Sequence, residues 1–164
     1  MKNNDILRRL RYIFDFNDSK MISVFGLADL TVTRAEISDW LKKEDDPAFQ
    51  KCNDAQLAIF LDGLINDKRG KKDGKQPVPE KRLNNNKIFT KLKIALNLKA
   101  TDVIDILCLA DFRISKSELS AFFRKPGHKN YVDCKDQILR LFLKGLEHKY
   151  RDQSESDTGF KWKK

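Results

Sequence analysis

The residues best equipped for chemistry in this chain are few and scattered. His128 and His148 could take up or pass on a proton near neutral pH, and a histidine held beside a carboxylate is a common acid–base pair. Neither sits in a metal-ligand spacing such as His-Glu-x-x-His. The run Glu44, Asp45 and Asp46 could hold a divalent cation through carboxylate oxygens, but no further carboxylates follow at a fixed spacing. Cys52, Cys108 and Cys134 form no Cys-x-x-Cys pair and do not cluster with histidine, so they read as reduced structural thiols. No glycine-rich phosphate loop, Gly-x-Ser-x-Gly elbow or dinucleotide fingerprint occurs. The expectation is a protein without a catalytic set, cofactor or metal, one that acts by binding.

What the chain does carry is charge, unevenly placed. The net charge is +9 over 164 residues. Residues 1–69 hold 11 Lys and Arg against 12 Asp and Glu, whereas residues 85–151 hold 14 against 7. A basic second half invites an anionic partner. Its candidate contacts are Lys116, Ser120, Arg124, Lys125, His128, Lys129 and Asn130, where cations could meet phosphate or carboxylate and the short polar groups could add hydrogen bonds. The aligned stretch of the first half carries Glu44, Asp45 and Asp46, so equivalent positions bear opposite charge. Those two loops could face one another, across an internal axis or between molecules, and thereby set register and orientation. The plainer reading of each is a solvated loop.

The elements that must position these residues are written twice. Residues 3–69 align without a gap on 85–151 at an offset of 82, with 19 identities in 67 positions. Asn3-Asn4 returns as Asn85-Asn86, Leu27-Ala28-Asp29 as Leu109-Ala110-Asp111, and Cys52 as Cys134. Such self-similarity marks one packed unit duplicated. Helical period dominates each copy: Ile6, Leu10, Ile13 and Phe14 share one face of a first helix that Asn3 or Asn4 could cap. A second helix begins at Ser19, or Thr101 in the copy. A third opens on a capping box, Thr33 with Glu36 and Ser115 with Glu118, and a fourth starts near Asn53-Asp54. Gly63 and Gly145 lie inside the fourth helix of each copy, where glycine costs about 1 kcal/mol relative to alanine, which predicts a close helix crossing.

These readings give an all-α fold: two tandem four-helix repeats, about eight helices, related by a pseudo-twofold axis and sharing a core. Residues 1–69 are the first repeat, 70–84 a basic Gly/Pro linker, 85–151 the second repeat and 152–164 a frayed tail. Helices two and three of each copy resemble a helix-turn-helix, although their connection is longer than the usual turn. No apolar run reaches the roughly 20 residues that span a bilayer, and the N-terminus has no signal-peptide layout, so a cytoplasmic protein is expected.

The segments NNDILRRLRYIF, WLKKEDDPAFQKC, FLDGLINDKRGK, NNNKIFTKLKIAL and HKNYVDC resemble the bacterial YehS-like family, a duplicated domain of unknown function. The likeness runs over roughly residues 1–151. It implies a small bacterial cytoplasmic protein and carries no catalytic or binding residues with it. The reading of function is therefore a protein-interaction or adaptor module, with self-association included. The alternative is a nucleic-acid binder that uses the basic second repeat.

Overall fold

The computed structural model describes residues 1–71, 73–74 and 76–152. The first repeat comprises α1 (Asn3–Ile13), α2 (Asp18–Gly26), α3 (Arg34–Leu41) and α4 (Asp54–Arg69). The second comprises α5 (Asn85–Ala95), α6 (Ala100–Leu109), α7 (Lys116–Ala121) and α8 (Asp136–Glu147), which runs on into a π-helical turn at His148–Asp152. The described residues hold no strand. Asp152, read as the start of the tail, thus belongs to the last helical turn; residues 153–164 lie outside the described residues, as do Lys72 and Lys75 of the linker.

Local chemistry sets the boundaries. The capping boxes at Thr33/Glu36 and Ser115/Glu118 form as expected, and Asn53 with Gln56 makes another ahead of α4. Helices α2 and α6 start one residue earlier than Ser19 and Thr101, at Asp18 and Ala100. In the repeat, the end of α1 and α5 is followed by Asp15 and Asn97, both left-handed at φ 54°, and α2 and α6 by Asp29 and Asp111 at φ 66° and 59°. Aspartate and asparagine tolerate that conformation better than other side chains, which accounts for the duplicated Leu-Ala-Asp.

Capping by Asn3 or Asn4 is corrected. The residue before α1 is Lys2, and before α5 it is Asn84, whose side chain accepts from the Lys87 N–H. Asn4 instead donates to the Trp40 and Gln50 carbonyls (2.8 and 2.9 Å) and accepts from the Cys52 N–H (3.0 Å). Asn86 does the same with Phe122, Val132 and Cys134 (3.0, 2.9 and 2.9 Å). Each buried amide therefore closes the neck of the loop between the third and fourth helices.

The glycines behave as expected. A Cβ on Gly63 would stand 1.9 Å from the Val24 carbonyl oxygen, and one on Gly145 would stand 2.1 Å from that of Ile106. Val24 and Ile106 are themselves equivalents, so α4 crosses α2 as α8 crosses α6.

The repeats share one apolar cluster, with Phe25, Phe60, Phe89 and Phe142 fully buried in it. Helix α4 packs along α5, and α8 along α1. The pseudo-twofold is visible in reciprocal contacts. Leu83 N–H donates to Asp54 (2.9 Å), while the Met1 ammonium, its equivalent, reaches Asp136 (2.5 Å). Arg69 donates to the Ile94 carbonyl and Asn97 (3.0 Å each), while Arg151 lies over the Tyr12 ring (4.3 Å) and pairs with Asp15 (3.2 Å). Every partner in one set maps onto the other by the offset of 82. Within each seam the two helices thus run side by side in the same direction.

Candidate functional site

The basic loop of the second repeat is held at both ends. Helix α7 is anchored by Leu119 and Ala121, and Phe122 behind it is buried on Phe89. The Val132 N–H returns to the Ala121 carbonyl (3.2 Å), and Asn86 ties Phe122 to Val132 and Cys134. Between those points the chain turns tightly: His128 N–H donates to the Lys125 carbonyl, Tyr131 N–H to that of His128, and Gly127 takes φ 91°. A loop closed at its neck presents its side chains in a fixed arrangement, which lowers the ordering cost of binding.

On that loop Arg124, Lys125, His128, Lys129 and Asn130 are exposed, as is Lys116 on α7. None of these four Lys and Arg residues forms an ion pair with a described residue. The short polar groups are less available. The Ser120 hydroxyl donates to the Ser117 carbonyl (2.9 Å), and His128 Nδ1 accepts from the Asn130 N–H (3.0 Å). The helix-turn-helix likeness is not sustained by the geometry. Helix α7 has six residues, under two turns and about 9 Å long, too short to lie along a major groove as a recognition helix.

The acidic loop of the first repeat is more self-contained. Glu44 pairs with Lys2, Lys42 with Asp39 (2.8 Å), and Asp46 accepts from the Ala48 N–H (2.9 Å). Asp45 is exposed. No ion pair joins Glu44, Asp45 or Asp46 to the basic loop among the described residues.

Other candidates fall into structural places. Burial pushes the Cys52 and Cys134 thiols up to about 12, with Asp54 and Asp136 adding to it, so neither supplies a thiolate at neutral pH. Cys108 is exposed and stands alone. No group of three His, Cys, Asp or Glu residues is gathered for a metal among the described residues. His148 Nδ1 meets Asp152 at 2.5 Å in the π-helical turn.

The two helix seams were not found by reading motifs. In one, Lys91 of α5 bonds Asp62 (2.6 Å) and Glu80 (3.0 Å), and all three are mostly shielded. In the other, a cleft of about 450 Å³ opens between α1 and α8, walled by Arg8, Arg9, Tyr12, Arg140 and Glu147 among others. The signal was present in the aligned copies, which read Lys91 against Arg9, Asp62 against Lys144 and Ala58 against Arg140.

Comparison with known proteins agrees with the duplicated fold. A family profile described as "Protein of unknown function (DUF1456)" matches residues 3–70 and again 85–152. The chain belongs to the DUF1456 family. It is 45% identical over 147 residues to the "Uncharacterized protein YehS" of Escherichia coli (strain K12), a match that covers 89% of this chain and 94% of that protein. No solved structure matches the chain. Membership in DUF1456 thus carries the architecture and no activity. No helix among the described residues is long and apolar enough to cross a membrane.

Proposed function

We propose that the chain is a protein-interaction module that presents the basic face of its second repeat to an acidic partner and performs no catalysis. The carrying observation is the contrast between two equivalent loops. Glu44 and Asp46 of the first are engaged by neighbours, whereas Lys116, Arg124, Lys125 and Lys129 stand exposed and unpaired, the last three on the loop whose neck Asn86 ties. Unpaired cations on a rigid loop keep their attraction for an incoming anion, while paired ones must first give up a partner. A second copy of the chain offers one such carboxylate, the exposed and unpaired Asp45, beside Glu44 and Asp46, which would first give up their partners. A cytoplasmic setting, where thiols stay reduced, suits Cys108.

The same cations favour a second reading, nucleic-acid binding through phosphate contacts, against which the shortness of α7 and the engaged Ser120 hydroxyl both count. The two readings separate by which ligand is retained at physiological salt. Fluorescence polarisation with an acidic peptide, duplex DNA and single-stranded RNA, from 25 to 300 mM salt (about a 3.5-fold change in Debye length between the extremes), distinguishes them. The expected result is peptide binding at physiological salt that Arg124→Glu/Lys125→Glu abolishes, with DNA and RNA released well below it. DNA or RNA retained at physiological salt through those two residues would establish the second reading instead.

A further inference from the structure

The α1/α8 cleft is the half of the pseudo-twofold interface that the fold leaves open. Its two ends are closed by the same contacts that close the α4/α5 seam: Met1 on Asp136 at one end, Arg151 on Tyr12 and Asp15 at the other. Only the middle differs. There the α4/α5 seam has Ala58, fully buried, and Lys91 bonded to two carboxylates, Asp62 and Glu80. The α1/α8 seam substitutes Arg140 for Ala58, Arg9 for Lys91 and the exposed Lys144 for Asp62, so Arg9 lacks the carboxylate that Asp62 gives Lys91; the carboxylates that line this cleft are Asp5, taken by Arg8, and Glu147.

Packing does not explain this. The α4/α5 seam shows that the fold closes with alanine and an ion pair, and like charges placed along one seam repel, a cost that a bound anion lowers. Arg8 is already engaged, by Asp5 and by the Lys42 carbonyl (2.8 Å). Arg9 and Arg140 have neither an ion pair nor a hydrogen bond among the described residues, and both line the cleft. Two free guanidinium groups lining one cleft, from α1 and α8, are the chemistry that holds phosphate oxygens.

The rest of the wall narrows the class. Glu147 lies two turns beyond Arg140 on α8, about 10 Å along the axis, also without a partner. A carboxylate there repels phosphate and accepts from hydroxyl groups. Tyr12, 48% exposed, adds an aromatic wall beside it, and Arg151 at that end keeps its Nε buried with no acceptor. The volume of about 450 Å³ is that of a small-molecule site. We propose that the α1/α8 cleft binds a small phosphorylated molecule bearing hydroxyls and a planar group, a nucleoside phosphate in chemical class, with its phosphate on Arg9 and Arg140 and its hydroxyls on Glu147. This site is separate from the basic loop and stands or falls independently of it.

Isothermal titration calorimetry on the full chain with AMP, ADP and inorganic phosphate tests the assignment, alongside a short single-stranded oligonucleotide. AMP or ADP should bind at least about tenfold more tightly than inorganic phosphate, and Arg9→Gln or Arg140→Ala should each weaken them at least about tenfold. Arg140→Ala installs the residue that the other seam already accommodates, and circular dichroism checks that each variant is folded. Glu147→Gln should weaken AMP and leave inorganic phosphate unchanged, while Arg124→Glu/Lys125→Glu should change neither. Absence of AMP and ADP binding at millimolar concentration would overturn the proposal. So would equal losses from the basic-loop variant, parity with inorganic phosphate, or binding of the oligonucleotide alone.

Discussion

Single side chains carry the organisation of each loop. Asn4 and Asn86 commit both amide hydrogens and the amide oxygen to backbone groups across a loop neck, a demand no other uncharged side chain of that size meets. Replacing Asn86 with alanine leaves two carbonyls and one N–H without partners in a buried place. A loss of about 3 kcal/mol is expected in urea unfolding, with the basic loop more open to protease. Asn4→Ala should cost a similar amount and leave residues 124–130 protected. These roles were not legible in the sequence. An asparagine pair at a helix start reads as a cap, because capping is local and the true partners lie 36 to 48 residues away.

At the scale of elements, the helices and their boundaries were legible because capping boxes, left-handed Asp and Asn stops and apolar period act within a few residues of each other. Gly63 and Gly145 were legible for another reason, since duplication supplied a second instance of each. Alanine at either must force α4 from α2, or α8 from α6, against backbone rather than a yielding side chain. The expected cost is about 3 kcal/mol at each position by denaturant midpoint. Gly26→Ala, in α2 with nothing within 4 Å of a new Cβ, should instead be neutral or stabilise by about 0.5 kcal/mol. A gain at all three would mean that helix propensity, not the crossings, sets the effect. The α1/α8 cleft escaped notice because its signal lies in differences between copies, and a difference shows a surface only once the helices facing it are known.

For the whole molecule, the duplicated seams also predict how stability depends on pH. Asp54 is held below its ordinary 3.8 first by the Asn3 amide and then by the Leu83 N–H; Asp136 is held below it first by the Met1 ammonium and then by the Asn85 amide. A carboxyl whose folded value is depressed binds protons more readily in the unfolded chain. The stability it contributes is complete above the unfolded value and is lost as pH falls from there through the folded one. Urea midpoints should therefore drop as pH is lowered from 5 toward 3 (an interval spanning the ordinary carboxylate range of about 4), and drop less steeply in Asp54→Asn/Asp136→Asn. An unchanged slope would show that the reciprocal contacts do not couple to folding. Burial acts the other way on Asp62, raising it despite the Lys91 bond, so that pair orients the α4/α5 seam more than it strengthens it.

The architecture is shared by the two copies, and the proposed function lies where they differ. The most direct measurement compares equivalent charge reversals in an acidic-peptide binding assay at physiological salt: Arg124→Glu/Lys125→Glu in the second repeat against Lys42→Glu/Lys43→Glu in the first. Loss of binding in the former with the latter unaffected is the predicted result. Equal loss in both, or in neither, would contradict it.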